Sequence, residues 1–167
     1  EAKRIAFLVG DKGDGPERRQ SDTAEAAARA HGHKLLVLPL AAASDTESLA
    51  DRLAGSQADA VLVSADAALA ALCERIVDAA LAAGLPTIAG FSQCAAHGAL
   101  AAYGVDPAAR FHDAARQVDR ILRGARAAEA AVERPPALEL VVNLRTSKAM
   151  RIDVPPSLLL RADRVIE

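Results

Sequence analysis

The first residues able to do chemistry stand together in one loop, Gly10-Asp11-Lys12-Gly13-Asp14-Gly15-Pro16, two carboxylates and an ammonium among turn-forming glycines. A phosphate cradle would need Ser or Thr hydroxyls here, and Gly10 to Pro16 has none; GxGxxG and GxxxxGKS/T are absent as well. A phosphoryl-accepting acid cluster would need an Asp at the end of the third strand and a Lys after the fifth. Asp66 falls a little late for that role, and no Lys stands at the end of the fifth strand. His31, His33, His97 and His112 have neither an HxxxH spacing nor a pairing with cysteine, so they make no metal set. His31 and His33 flank a helix-ending glycine and read as surface residues. Ser92 lacks the GxSxG context of a nucleophile elbow. Cys73 falls on the buried stripe of a helix and reads as core. With Cys94 as the only other cysteine, the pair leaves the redox compartment open. No catalytic constellation assembles, so the chain reads as non-enzymatic, with no cofactor and no metal.

The elements that would position this loop follow from the hydrophobic pattern. Ile5 to Val9 is apolar at every position, which suits a strand covered on both faces. Strand, Gly-rich loop and helix in succession open an α/β sheet, whose ligands bind at the carboxyl ends of the strands. Glu17 to His31 reads as a helix with Ala24, Ala27 and Ala28 on one face and Gly32 at its end. Lys34 to Leu40 is the second strand. Ser44-Asp45-Thr46-Glu47 has the pattern of a capping box, opening a helix to about Gly55. Asp59 to Ser64 is the third strand, Ala67 to Ala83 a helix and Pro86 to Gly90 the fourth strand. A helical turn at Gln93 to Ala96 precedes the fifth strand, Gly98 to Tyr103.

Asp106-Pro107 then starts a long helix ending near Gly124, with Phe111, Ala115, Val118, Leu122 and Ala125 as one apolar stripe. Five β–α units over residues 1–126 predict a three-layer α/β sandwich around a parallel five-stranded sheet in order 2-1-3-4-5. Residues 127–167 add a linker to Pro136, an extra strand Leu138 to Asn143, a short helix Thr146 to Met150 and a terminal helical segment Ser157 to Ile166. The whole reads as one domain.

A chain of 167 residues buries roughly 70% of its unfolded surface. Hydrophobic residues make up 51% but aromatic residues only 2%, so alanine-faced helices must pack closely on the sheet. A net charge of −2 argues against nucleic acid as a partner. No apolar run approaches the roughly 20 residues of a membrane span. Glu1 to Arg4 leads straight into the first strand with no signal-peptide pattern. We therefore expect a cytosolic domain or the mature part of an exported protein.

The last 30 residues are the most specific stretch. Leu138-Glu139-Leu140-Val141-Val142-Asn143-Leu144-Arg145-Thr146 and Pro155-Pro156-Ser157-Leu158-Leu159-Leu160-Arg161-Ala162-Asp163 resemble the closing segment of ABC transporter substrate-binding proteins, a family that includes tryptophan- and tyrosine-type binders. Tyr103-Gly104-Val105-Asp106, Val118-Asp119-Arg120-Ile121-Leu122-Arg123-Gly124 and Val132-Glu133-Arg134-Pro135 look like the same family in the same order. The resemblance implies one lobe of a type I periplasmic binding protein, the second half only. Tyr103 to Asp106 then falls at a hinge crossing. The Pro107 helix, which the family packs on the other lobe, must here close the sheet as its last helix or dimerise.

The implied function is the solute-binding component of an ABC transporter, a ligand-binding lobe for a small molecule such as an amino acid, periplasmic or otherwise extracytoplasmic. Its implied partners are the first lobe, an ABC permease or a second copy. Ligand-binding candidates sit at strand ends: Asp11 and Lys12 after the first, Asp66 after the third, Phe91 and Gln93 after the fourth, Tyr103 and Asp106 after the fifth. Lys12 could pair with a ligand carboxylate, and Phe91 or Tyr103 could stack on a ring. The alternative is a stand-alone sensor or protein-interaction module without catalysis, cytoplasmic, which an exposed apolar strip on the Pro107 helix would favour.

Overall fold

The computed structural model describes residues 2–10, 16–129 and 138–167. Its seven strands are β1 (Arg4–Val9), β2 (Lys34–Pro39), β3 (Ala60–Val63), β4 (Thr87–Phe91), β5 (Ala101–Val105), β6 (Glu139–Asn143) and β7 (Arg164–Ile166). They form one sheet in the order β2-β1-β3-β4-β5-β6-β7. The first five are parallel in the expected order 2-1-3-4-5. The sheet is wider than the five strands expected, because β6 runs antiparallel to β5 and β7 parallel to β6.

Strand β7 corrects the expected terminal helix. Only α8 (Pro156–Leu159) is helical there. Asp163 then takes the chain back to the sheet: its amide donates to Leu140 O at 2.9 Å, and its Oδ2 accepts from Leu140 N at 2.8 Å. Arg164 Nη1 reaches Glu139 Oε1 at 3.6 Å, so the tail is held in strand register by both backbone and charge.

In β1, alternate side chains serve the two layers. Ala6 and Leu8 face a core shared with Val61, Val63 and Ala89, and helices α2 (Leu49–Gly55) and α4 (Cys73–Ala82) cover it. Leu49, Leu53, Ile76, Val77 and Ala80 supply the buried face of those helices. Each large side chain so buried contributes about 1.5–3 kcal/mol. Phe7 looks the other way, towards α1 (Pro16–Ala30). That helix ends as the sequence predicts: Gly32 has φ +75°, and the His33 amide returns to Ala28 O at 2.8 Å.

Three boundaries differ from expectation. The helix expected over Ala67 to Ala83 is broken into α3 (Ala67–Ala70) and α4. The carbonyl of Ala70, which an unbroken helix would offer to the Glu74 amide, accepts from Gln93 Nε2 at 3.0 Å. The capping box at Ser44 does not form as predicted. Asp45 Oδ2 accepts from the Ala42 amide at 3.0 Å, closing a short 3-10 turn over Ala43–Thr46, and α2 starts only at Leu49. Strand β5 begins later than Gly98, which takes φ +105° in the preceding turn, and runs on to Val105, so Tyr103 lies in mid-strand rather than at its end.

The long helix α6 (Pro107–Leu122) does not close the sheet as its last helix. Phe111 is 77% exposed and Leu122 81%. On the α1 side, Ile88 and Tyr103 are exposed and line a cavity of about 630 Å³ together with Phe7, Leu62 and Thr23. No helix among the described residues is long and apolar enough to cross a membrane.

Candidate functional site

Parallel strands bring their carboxyl ends to one edge of the sheet, where the connections after β1, β3, β4 and β5 meet. Close approach explains three glycines there. A methyl group on Gly10 would sit 1.9 Å from Asp66 Oδ2, one on Gly90 2.9 Å from the Ala65 Cβ, and one on Gly104 1.8 Å from the Gly90 carbonyl oxygen. The β4–β5 register shifts between Ala89 and Phe91, at the place where Gly104 crosses Gly90. The edge is therefore closely packed at these three glycines, Gly10 against the Asp66 carboxylate, Gly90 against Ala65 and Gly104 against the Gly90 backbone.

Asp66 Oδ1 accepts from the Ala68 amide at 2.8 Å and caps α3, while Oδ2 lies over Gly10. Phe91 ends β4, half-buried against the core that α4 covers. Gln93 opens α5 (Gln93–Ala96) and holds the far end of α3 through Ala70 O. Asp66 and Gln93 thus secure the two ends of one short helix, and Phe91 stands two residues before Gln93. Asp106 sits half-buried between β5 and α6. Asp11 and Lys12 lie outside the described residues.

Tyr103 does not join this group. Its neighbour Ala102 faces the α5 side with Ala95 and Val141, so Tyr103 points to the α1 side, into the open cavity. Phe91 and Tyr103 stand on opposite faces of the sheet and cannot clasp one ring between them.

Behind the edge, α5 is fastened twice. Cys94 is disulfide-bonded to Cys73 at the start of α4, with Cα atoms 5.2 Å apart. Asn143 Nδ2 donates to Ala95 O at 2.9 Å while its Oδ1 accepts from Thr146 N at 3.1 Å, capping α7 (Leu144–Met150). Sequence reading placed Cys73 in the core, where it is, but left the pairing open. The two cysteines meet only because α4 and α5 lie side by side after a full β–α crossover. Ser64 and Ser92 are buried at the strand exits as well, and their sequence context carries no signal for that place.

The carboxylate held below its ordinary pKa of 3.8 is at the opposite edge. Asp59 accepts from the Arg4 amide at 2.8 Å and the Lys3 amide at 2.7 Å, and these two bonds outweigh the opposing effect of desolvation. It pins the start of β1 to β3, a structural task.

A family model described as ABC transporter substrate binding protein matches residues 2–166. Among solved structures, the chain is similar to a conserved domain protein from Vibrio cholerae O1 biovar El Tor, with 23% identity and a TM-score of 0.86. It is also similar to an ABC domain from Streptococcus pneumoniae in complex with L-Trp, with 22% identity and a TM-score of 0.81. A third is a ligand-free, open substrate-binding protein with adhesive properties from Clostridium difficile, with 19% identity and a TM-score of 0.67. These alignments cover 98%, 99% and 99% of this chain and 55% of each of the three, so the chain spans about half the length of the structures it matches. Comparison with curated protein sequences returns no match. The mostly parallel sheet with its flanking helices is the fold of one periplasmic-binding-protein lobe.

Proposed function

We propose that this chain, which belongs to the ABC transporter substrate-binding protein family, is the second lobe of a two-lobed solute receptor and forms one wall of the cleft that closes on a small molecule such as an amino acid. The family match along the whole lobe is the observation that carries this reading. The one-sided edge of Gly10, Asp66, Phe91, Gln93 and Gly104 supports it, because a ligand seated there still needs a cover. The exposed stripe of α6 supports it too, as a surface of the kind that packs on a first lobe. Asp66, Phe91, Gln93 and Asp106, with Asp11 and Lys12, are the ligand-facing residues of this wall. Phe91 offers a ring edge, and Lys12 an ammonium for a carboxylate. The permease is the partner of the closed, two-lobed form. The Cys73–Cys94 disulfide supports an extracytoplasmic address, since such bonds persist in oxidising compartments.

Titrating the isotope-labelled chain with L-tryptophan while following backbone amide resonances tests the site. Shifts should concentrate at Asp66, Phe91 and Gln93. Shifts confined to Tyr103, Ile88 and Phe7 would instead mark the α1-side cavity as the binding place and remove the cleft reading. The same exposed α6 stripe favours a second reading, a lobe reused as a protein-interaction module. Under that reading L-tryptophan would cause no shifts at the strand exits, whereas Leu122→Ser would abolish a protein contact.

A further inference from the structure

We propose that the Cys73–Cys94 bond is a positioning cross-link for the ligand-binding edge, so that solute affinity depends on its oxidised state. This rests on the reading of that edge as a cleft wall. The residues that shape the wall, Phe91 and Gln93, lie immediately before Cys94 and on the same short segment. Helix α5 has only four residues, too few to hold its own geometry. Its position must come from what it is tied to. Cys73 belongs to α4, whose Ile76, Val77 and Ala80 are wholly buried, so the bond ties a short mobile-length segment to a fixed part of the core.

Beside the disulfide, α5 is held by the packing of Ala95 against Ala102 and Val141 and by two hydrogen bonds. The Gln93–Ala70 hydrogen bond is exposed and competes with water. The Asn143–Ala95 bond is buried and holds the residue after Cys94, one step further from Phe91. Loss of the disulfide therefore loosens the β4–α5 corner first, and through Gln93 it loosens α3 and the Asp66 cap. Cys73 and Cys94 are both almost fully buried, 3% and 1% exposed, so reductant reaches them only when the corner opens. The bond is a lasting brace and not a fast switch.

Reduction with dithiothreitol breaks the Sγ–Sγ bond by thiol–disulfide exchange. Two electrons pass to Cys73 and Cys94, both end as thiols, and the reagent closes into its cyclic disulfide. The chain unfolded without reductant should show no titratable thiol, and two after reduction. Two thiols in the untreated chain would overturn the proposal. In native reduced protein, hydrogen exchange should quicken about tenfold or more at Phe91–Ala96 and Ala67–Ala70 and stay unchanged in β1 and β3. The dissociation constant for L-tryptophan should rise about tenfold. The Cys73→Ala/Cys94→Ala variant should reproduce both effects without reductant, which separates the cross-link from side effects of the reagent. Unchanged exchange and affinity after reduction, or exchange that quickens evenly over the lobe, would refute a positioning role. If neither redox form binds any member of an amino-acid panel that includes L-tryptophan, the cleft reading fails by itself. The exchange pattern then still decides whether the bond braces this corner.

Discussion

Gly104 and Gly55 are the same residue type under opposite constraints. A Cβ at position 104 would meet the Gly90 carbonyl at 1.8 Å, whereas one at position 55, at the end of α2, would meet nothing within 4 Å. Gly104→Ala should therefore cost about 2 kcal/mol or more of stability by forcing β4 and β5 apart. Gly55→Ala should gain about 0.5–1 kcal/mol by removing unfolded-state freedom. Urea unfolding of the two variants checks both signs. At Asp59 the expected dependence is on pH. The folded carboxylate titrates below its ordinary 3.8 because it accepts the Arg4 and Lys3 amides. Its contribution is present above 3.8 and is lost as pH falls through the lower folded value. Asp59→Asn should thus melt below the wild type at neutral pH, and the gap should close in acid. A gap independent of pH would mean that the charge is not what matters. At this scale the sequence was partly readable. The strand-end polar residues could be located from the β–α pattern, but the glycine contacts arise between strands and leave no local mark. Tyr103 stands in mid-strand for a related reason, since β5 runs on to Val105 through pairing that local sequence does not mark.

Among the elements, α4 and α6 make the clearest contrast. Both are amphipathic, yet Ile76 of α4 is fully buried and Leu122 of α6 is 81% exposed. Ile76→Ala should cost about 2–5 kcal/mol, and Leu122→Ser should change the stability of this chain by no more than about 0.5 kcal/mol. Thermal unfolding measures both; a large loss from Leu122→Ser would show that α6 packs on this lobe after all. Periodicity revealed both helices but could not tell which one has a partner within the lobe. It also missed the break between α3 and α4, where the freed Ala70 carbonyl accepts from the distant Gln93 amide. The tail Arg164–Ile166 read as helix for a similar reason: its pairing with β6 depends on contacts made through Asp163, far from its own neighbours in sequence.

For the molecule as a whole, the order 2-1-3-4-5 was legible because five β–α units with right-handed crossovers leave few other arrangements. Strand β6 was legible as an extra strand as well, but its place in the sheet and the strand β7 were not, since joining a sheet edge depends on register and not on composition. On the proposed function, this lobe offers half of a binding cleft. Closed clefts bury about 70–90% of a small ligand, and removing one wall removes about half of the contacts. A micromolar site corresponds to about 8 kcal/mol, so one wall alone retains about 4 kcal/mol, which is millimolar affinity. Calorimetry of the oxidised, monomeric chain against a panel of amino acids including L-tryptophan measures this directly. Millimolar binding of one or more members is the predicted result, and micromolar binding by the lobe alone would contradict the half-cleft account.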